Sequence, residues 1–363
     1  MYDAIVVGAR CAGAPTAMLL ARAGARVLLL DKAQRGTDTL STHYIHQPGI
    51  KRLADWGLLE RLQATGCPPI RRYTFDVGPF ALSGSPPPIG DVDAAYSPRR
   101  YVLDRLLVEA AEEAGVEVRH GVQVDHVDIE QGRVAGERAG IVIGADGRNS
   151  IVARAAGARL YDVRPTLTCA YYTYWTGVEM DRVELYPRPG RMIVASPTHD
   201  GRVVTIVLFP QAEFPAVRAD IEASFHDAVA LAPSLDERLR GGARAERFRG
   251  TRLLPNHYRE ASGPGWALAG DAGCHKDPIL ALGIADAFRD ADLLAQAIVD
   301  DDLEGYGPRR DERSKPGFES TVQFAHLQPP PMEMLAPLRG DQAATDRFFG
   351  VFAGTVDLSA AGR

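Results

Sequence analysis

The sequence predicts an α/β fold in which a nucleotide-type β-α-β unit is interrupted by an antiparallel sheet and followed by a helical C-terminal segment. Three observations predict it. Residues 4–31 run strand, helix, strand and end on an acid. Two further glycine–aspartate turns, at residues 144–147 and 270–273, each follow an apolar or small-residue strand. Between them, turn signals separate strand candidates rich in aromatic and β-branched residues.

Residues 4–7 (AIVV) are a short apolar run suited to a buried parallel strand. Residues 11–23 are small and apolar, as a helix packed tightly on that strand requires, and Pro15 falls in its first turn. Gly24 ends the helix, and residues 26–31 (RVLLLD) read as the next strand. Gly8 permits the tight turn out of the first strand, and Gly13 lets helix and strand approach closely. The helix N-terminus offers unpaired N–H groups and partial positive charge to a pyrophosphate. Asp31 is placed for the ribose hydroxyls. Gly8, Ala9, Arg10, Cys11, Ala12 and Gly13, with Asp31 and Lys32, are therefore the candidate dinucleotide contacts. Arg10 stands where such a loop carries its middle glycine. Either its side chain points away and the loop shifts, or its guanidinium itself pairs with phosphate.

With 363 residues the chain is too long for one small core and short for three full domains. Hydrophobic content of 45% and charged content of 24% are those of an ordinary globular protein. A net charge of −6 gives no reason to expect nucleic acid or an anionic membrane as partner. Cysteines at 11, 67, 169 and 274 form neither a C-x-x-C pair nor a zinc-like cluster, which predicts free thiols in an intracellular protein. The Ala- and Leu-rich segment 11–30 is interrupted by Arg22, Gly24 and Arg26 and preceded by a strand. No membrane span is expected, and the protein is expected in the cytoplasm. Oligomeric state is not legible.

Residues 144–150 (GADGRNS), with Arg154 after them, follow the apolar run IVI. Residues 266–273 (WALAGDAG) lead, past the chain-breaking Pro278, to a helical pattern with apolar Ile284, Phe288, Ala291, Leu294 and Ile298. The N-terminus of that helix would stabilise negative charge in a cleft. Together the three motifs resemble the FAD-dependent oxidoreductases of the aromatic-hydroxylase class, the group A flavin monooxygenases, whose relatives include geranylgeranyl-reductase-like proteins. The resemblance implies a Rossmann-like FAD-binding domain from residues 1–69, 96–156 and 256–302. It implies a substrate domain with an antiparallel sheet from 70–95 and 157–255, and a helical segment at 303–363. It further implies that Gly8, Gly13 and Asp31 hold the ADP half of FAD, and that Asp146 and Gly147 form a second fingerprint linked to nicotinamide binding. Gly270 and Asp271 would form the third, with Asp271 on the ribityl chain, and Arg100 would open a helix near the flavin. Past Pro278 the family commonly shows G-x-G; here the run is Ala281-Leu282-Gly283, with one glycine kept. No second β-α-β fingerprint with its own acid follows, so NAD(P)H is expected as a transient donor on these same domains.

The implied reaction is oxygen transfer to an aromatic or polyketide-like small molecule through a flavin C4a-hydroperoxide, for which the protein excludes water and positions the substrate. By motif position the residues nearest the flavin are Cys274, His275, Lys276, Asp277 and Pro278. His275 is the candidate acid–base group and Lys276 a candidate for stabilising negative charge; the competing reading is a polar loop. His43 and His46, at i and i+3, are candidates for flavin or substrate contact, with core or surface histidine the alternative and no further ligands to make a metal pair. Tyr172, Tyr174 and Trp175 lie on an aromatic strand and are candidate pocket residues, although aromatic strand residues more often build core. Strand candidates 191–196 and 202–209 flank the turn signal Asp200-Gly201, and a last helix is expected over 341–352. Flavin halogenases resemble the chain in the first loop. Their W-x-W-x-I-P signature is absent and no lysine lies between 52 and 275, which sets halogenation aside. Two alternatives to the monooxygenase stand: a reductase or dehydrogenase acting on a carbon–carbon bond, and a scaffold whose loop Arg10 has disabled.

Overall fold

The computed structural model describes residues 1–356. Strand β1 (Tyr2–Val7), helix α1 (Gly13–Arg22) and strand β2 (Val27–Asp31) form the opening unit. The helix begins two residues later than the small-residue run suggests, because residues 9–12 remain outside it as the loop. After α2 (Gln47–Asp55) the chain leaves for a second sheet, adding β3 (Arg72–Asp76) and β4 (Ala81–Gly84). It returns with α3 (Arg100–Glu113), β5 (Glu117–His120), β6 (Glu137–Gly144) and the short α4 (Ile151–Ala155).

A second excursion makes β7 (Leu160–Arg164), β8 (Thr168–Thr176), β9 (Arg182–Arg188), β10 (Arg191–Pro197) and β11 (Val203–Pro210). Helices α5 (Ile221–Ala230) and α6 (Pro233–Gly241) and strand β12 (Arg249–Thr251) follow. The last return brings β13 (Asn256–Arg259), β14 (Trp266–Leu268), β15 (Cys274–His275) and α7 (Gly283–Val299). Helices α8 (Leu303–Phe324) and α9 (Gln342–Ala353) close the described chain. The remainder of the expected C-terminal segment, 357–363, lies outside the described residues.

The first sheet contains β14–β6–β1–β2–β5, parallel to one another, with short antiparallel strands added beside β14 and β6. Its register brings the motifs together. Val7 faces Gly144, and Gly144 faces Leu268, so three glycine-bearing turns leave one sheet edge side by side. This carboxyl edge is where open parallel sheets bind ligands. Both faces are covered. Ala4, Val6 and Leu29 pack under α1, α3 and α7, while Ile5, Val7 and Leu28 pack on the other side with Val152 and Trp266.

The second sheet contains β8–β11–β10–β9–β3–β4, with β12 also on β8. It is antiparallel except where β9 pairs with β3 in parallel. Alternation on β8 splits its residues between two cores. Cys169 and Trp175 face α5 and α6; Ala170, Tyr172 and Tyr174 face the other way. A small third sheet, β7–β13–β15, ties residues 160–164, expected with the substrate domain, to strands on the nucleotide side.

Helix α8 locks the third motif from behind. The Tyr306 hydroxyl donates to the Leu268 carbonyl at 2.8 Å. Arg310 is fully buried and donates to the Tyr161 hydroxyl and the Arg259 carbonyl, both at 2.9 Å. Its Nη1 lies 2.7 Å from where a Cβ on Gly273 would stand, so that glycine makes room for it. Helix α9 starts at its N-cap Asp341, which accepts from the Ala344 amide at 2.9 Å, and sets Phe349 against Tyr73. Among the described residues no helix is long and apolar enough to cross a membrane, and no group of three metal-ligating side chains assembles.

Candidate active site

A cleft of about 920 Å³ runs from the β1–α1 loop to the second sheet. Its phosphate end is built by two glycines that nothing larger can replace. Gly8 has φ +103°, and a Cβ on it would lie 2.3 Å from the Ala145 carbonyl oxygen. A Cβ on Gly13 would lie 1.8 Å from the Gly8 carbonyl oxygen. Beyond them the amides of Arg10, Cys11, Ala12 and Gly13 have no acceptor among the described residues. They leave a helix end with unpaired donors facing the cleft. Asp31 accepts from the Ala9 and Ala33 amides, each at 2.7 Å, which fixes its carboxylate at the end of β2 with lone pairs to spare. Lys32, beside it, is exposed at the rim.

Cys11 points towards α3. Its thiol lies 3.5 Å from Asp104, and burial pushes its pKa up to about 12. Ala9 and Ala12 are buried. Arg10 is half-buried, lines the cleft and has no hydrogen-bond or ion-pair partner among the described residues. The second fingerprint turns at Gly147 (φ +78°). One Asp146 oxygen accepts from the Ile151 amide at 2.6 Å; the other is buried without a partner.

The third motif packs directly on the first, a Cβ on Gly270 falling 2.9 Å from the Ala12 Cβ. The Gly270 amide donates to Asp290 at 3.1 Å, and Asp271 is left exposed to the cleft. Opposite, Arg100 opens α3. It is held by both oxygens of Asp104 at 2.9 and 3.1 Å. Burial opposes its charge, but Asp104 outweighs burial and raises its pKa. Pro278 lines the cleft before α7, and Gly283 lines it at the start of α7. The position of the family's missing glycine, Ala281, adopts φ +53°, a left-handed conformation that a glycine would take freely.

Lys276 is not a free cation. It is buried against Asp286, which also holds Arg289, and Arg289 in turn holds Asp290 at 2.7 Å. Burial disfavours its charge, yet Asp286 raises its pKa overall, so the lysine is a structural partner at the start of α7. His275 differs. Its Nδ1 donates to the Pro255 carbonyl, which leaves Nε2 as an acceptor with no protein partner on a cleft-lining residue. The neighbouring imidazole of His257 is stacked at 6.0 Å.

The far wall is Ala170, Tyr172, Ile206 and Leu254. The Tyr172 hydroxyl is buried and unpartnered. Tyr174 does not reach the cleft. Its hydroxyl is bonded to His43 Nε2, and the Arg99 guanidinium lies 3.9 Å above its ring. Trp175 sits on the opposite face of the sheet, near His226 of α5. His43 is wholly buried at φ +64°. Burial first, then the nearby arginines, holds its pKa well below the usual histidine value, so it is neutral. His46 donates from Nε2 to the Leu280 carbonyl at 3.0 Å and is core.

The geometry thus brings Gly8, Arg10, Cys11, Ala12, Asp31, Lys32, Arg100, Asp146, Gly147, Asp271, Pro278 and Gly283, with His275 and Tyr172, to one cleft, while Ala9, Gly13 and Gly270 pack behind its lining. It sets His43, Tyr174 and Trp175 behind or beyond the wall. A clamp invisible in the sequence also emerges. Asp38, on the segment leading to the cleft-lining residues 39–42, is held by Arg99 at 3.4 Å and Arg249 at 2.9 Å. Its partners lie 61 and 211 residues away, so no local pattern signals it.

The chain matches the model of one family, described as FAD binding domain, over residues 1–303. Protein FixC of Salmonella typhi is 32% identical over 174 residues, 43% of this chain and 39% of that protein. Digeranylgeranylglycerophospholipid reductase 2 of Methanopyrus kandleri is 31% identical over 199 residues, 50% of this chain and 46% of that protein. The match thus spans less than half the length of these curated relatives. Among solved structures, the flavin-dependent brominase Bmp2 superposes with a TM-score of 0.82 at 18% identity, covering 97% of this chain and 93% of that one. PqsL of P. aeruginosa in complex with 2-aminobenzoylacetate gives 0.74 at 21%, covering 97% and 98%. A flavoprotein/dehydrogenase from Cytophaga hutchinsonii gives 0.82 at 18%, covering 97% and 92%. At these identities the likeness is one of fold.

Proposed function

We infer the reaction from one premise: the chain belongs to the FAD binding domain family, which makes it an FAD-dependent oxidoreductase. Its free amides at α1, the fixed Asp31 and the exposed Asp271 fit that cofactor. The reading the site supports best is a hydroxylase that uses NAD(P)H and oxygen on an aromatic or polyketide-like small molecule. One observation carries it. The cleft that begins at the phosphate loop ends on an apolar wall of Ala170, Tyr172, Ile206 and Leu254, beside a histidine with a free acceptor nitrogen.

When bound, FAD supplies electron transfer from the nicotinamide donor to oxygen. The protein's own groups do the rest. The wall excludes water and orients a flat apolar substrate. His275 Nε2 accepts the proton of a substrate hydroxyl, while the Pro255 carbonyl holds Nδ1–H and supports the imidazolium. Arg100 and the N-terminus of α7 hold negative charge near the cleft.

The test is oxygen uptake and NAD(P)H oxidation by FAD-loaded protein across a panel of phenols. Substrate-stimulated, oxygen-dependent turnover is expected. His275→Ala is expected to lower kcat by about 10²–10⁴-fold with FAD content unchanged. Product formed without oxygen would sink the hydroxylase reading. The reductase among the curated relatives, at 31% identity, favours a second reading, a reductase acting on a carbon–carbon bond, and anaerobic turnover with an electron donor would support it.

A further inference from the structure

We propose that Arg10 clamps the FAD pyrophosphate, its guanidinium taking over what the missing glycine does elsewhere through the backbone. The inference rests on the FAD assignment and concerns the residue that stands at the loop's middle-glycine position. Its basis is the state of the charges around the cleft. Arg100 is bound by Asp104, Lys276 by Asp286, Arg289 by Asp286 and Asp290, and Arg249 by Asp38. Arg148 and Arg154 donate to the Leu253 and Asn149 carbonyls. Arg10 and Lys32 are the cleft-lining cations with no partner among the described residues, and Arg10 alone stands on the loop itself.

Neither Asp31 nor Asp104 pairs with Arg10. Asp31 receives two backbone amides, and Asp104 receives Arg100 on both oxygens. Arg10 forms part of the wall between the cleft and a side cavity of about 30 Å³ that includes Asp31 and Asp104. Its side chain therefore stands beside the loop whose amides at residues 10–13 are unpaired. A pyrophosphate there carries two negative charges and matches a planar fork of N–H donors. Only the backbone carbonyl of Arg10 is otherwise committed, accepting from the Ala14 amide at 3.0 Å to start the helix.

The experiment measures FAD affinity of the full chain stripped of flavin, by fluorescence quenching over a salt series, for wild type, Arg10→Gly, Arg10→Gln and Arg10→Lys. Glycine restores the family's loop, so it separates room from charge. The clamp predicts that Arg10→Gly and Arg10→Gln weaken FAD about 10- to 100-fold, that Arg10→Lys recovers part of this, and that the salt dependence flattens in the uncharged variants. Unchanged circular dichroism and melting of the flavin-free variants exclude misfolding. If one variant does not fold, the glutamine–lysine or glycine–lysine comparison still decides. Equal or tighter FAD binding by Arg10→Gly would overturn the clamp and mean that the side chain only obstructs. Failure of the wild type to bind FAD would instead overturn the cofactor assignment.

Discussion

Substituting Gly13 by alanine tests whether the β1–α1 crossing is fixed by contact distance. The added Cβ would stand 1.8 Å from the Gly8 carbonyl oxygen and 3.0 Å from the Ala145 Cβ. Ordinary contact starts near 3.4 Å, so helix and turn must separate by about 1.6 Å. Neither neighbour is a flexible side chain that can rotate aside. Backbone strain is not the issue, since Gly13 does not have positive φ. Overpacking of this kind costs about 1–3 kcal/mol, and a backbone oxygen puts this site at the top of that range. Alanine returns up to about 1 kcal/mol of helix propensity. A net loss of about 2 kcal/mol or more is expected, with loss of FAD, because the separated amides no longer converge. Urea midpoints and flavin per chain after gel filtration give both quantities. Gly147→Ala is the control. Its φ of +78° strains an alanine by about 1–2 kcal/mol, but its Cβ meets nothing within 4 Å. If Gly13→Ala unfolds at the wild-type midpoint and keeps its flavin, the close-approach argument is wrong.

Ala281→Gly relieves the left-handed strain at φ +53° and is expected to stabilise the fold by about 0.5–1 kcal/mol after glycine's entropy is counted; a lower melting temperature would contradict this. Tyr172→Ala should raise KM for an aromatic substrate by removing the ring from the cleft wall, whereas Trp175→Phe should lower stability and leave KM alone; the reverse pattern would misplace the pocket. The pH profile follows from buried groups. Burial holds His46 and His257 at about 4, so each contributes fully above pH 6.5 and loses its contribution as the pH falls towards 4. Asp277, pushed up to about 6 by burial, acts with the opposite sign and gains as the pH falls below 6. With His43 and His199 also held low by burial, the histidines outweigh this carboxyl, and a net loss of stability is expected between pH 7 and pH 5. An unchanged or higher urea midpoint at pH 5 would refute this balance.

The nucleotide unit was legible because its determinants are local. Glycine, helix and acid follow one another within 31 residues, and the other two motifs each carry their own strand. What the sequence could not supply was side-chain direction. Lys276 looks free until α7 folds back and brings Asp286 to it, and His43 looks accessible until Tyr174 covers it. Parity was readable in principle. Tyr172 and Tyr174 are two apart and share a face of β8, so Trp175 had to take the other. Which face would meet the cleft depended on helices α5 and α6, more than 40 residues further on, covering the odd-numbered side.

The buried arginine of α8 has a consequence for how the protein is made. The Arg310 side chain occupies space that Gly273 leaves open, and Tyr306 bonds the strand that carries the third motif. All three motifs leave the ribosome before either residue does. Until α8 emerges, the third turn has no backing and its strand carbonyl no donor. A chain cut at residue 302 would thus carry every recognisable fingerprint and lack the two side chains that back the third turn.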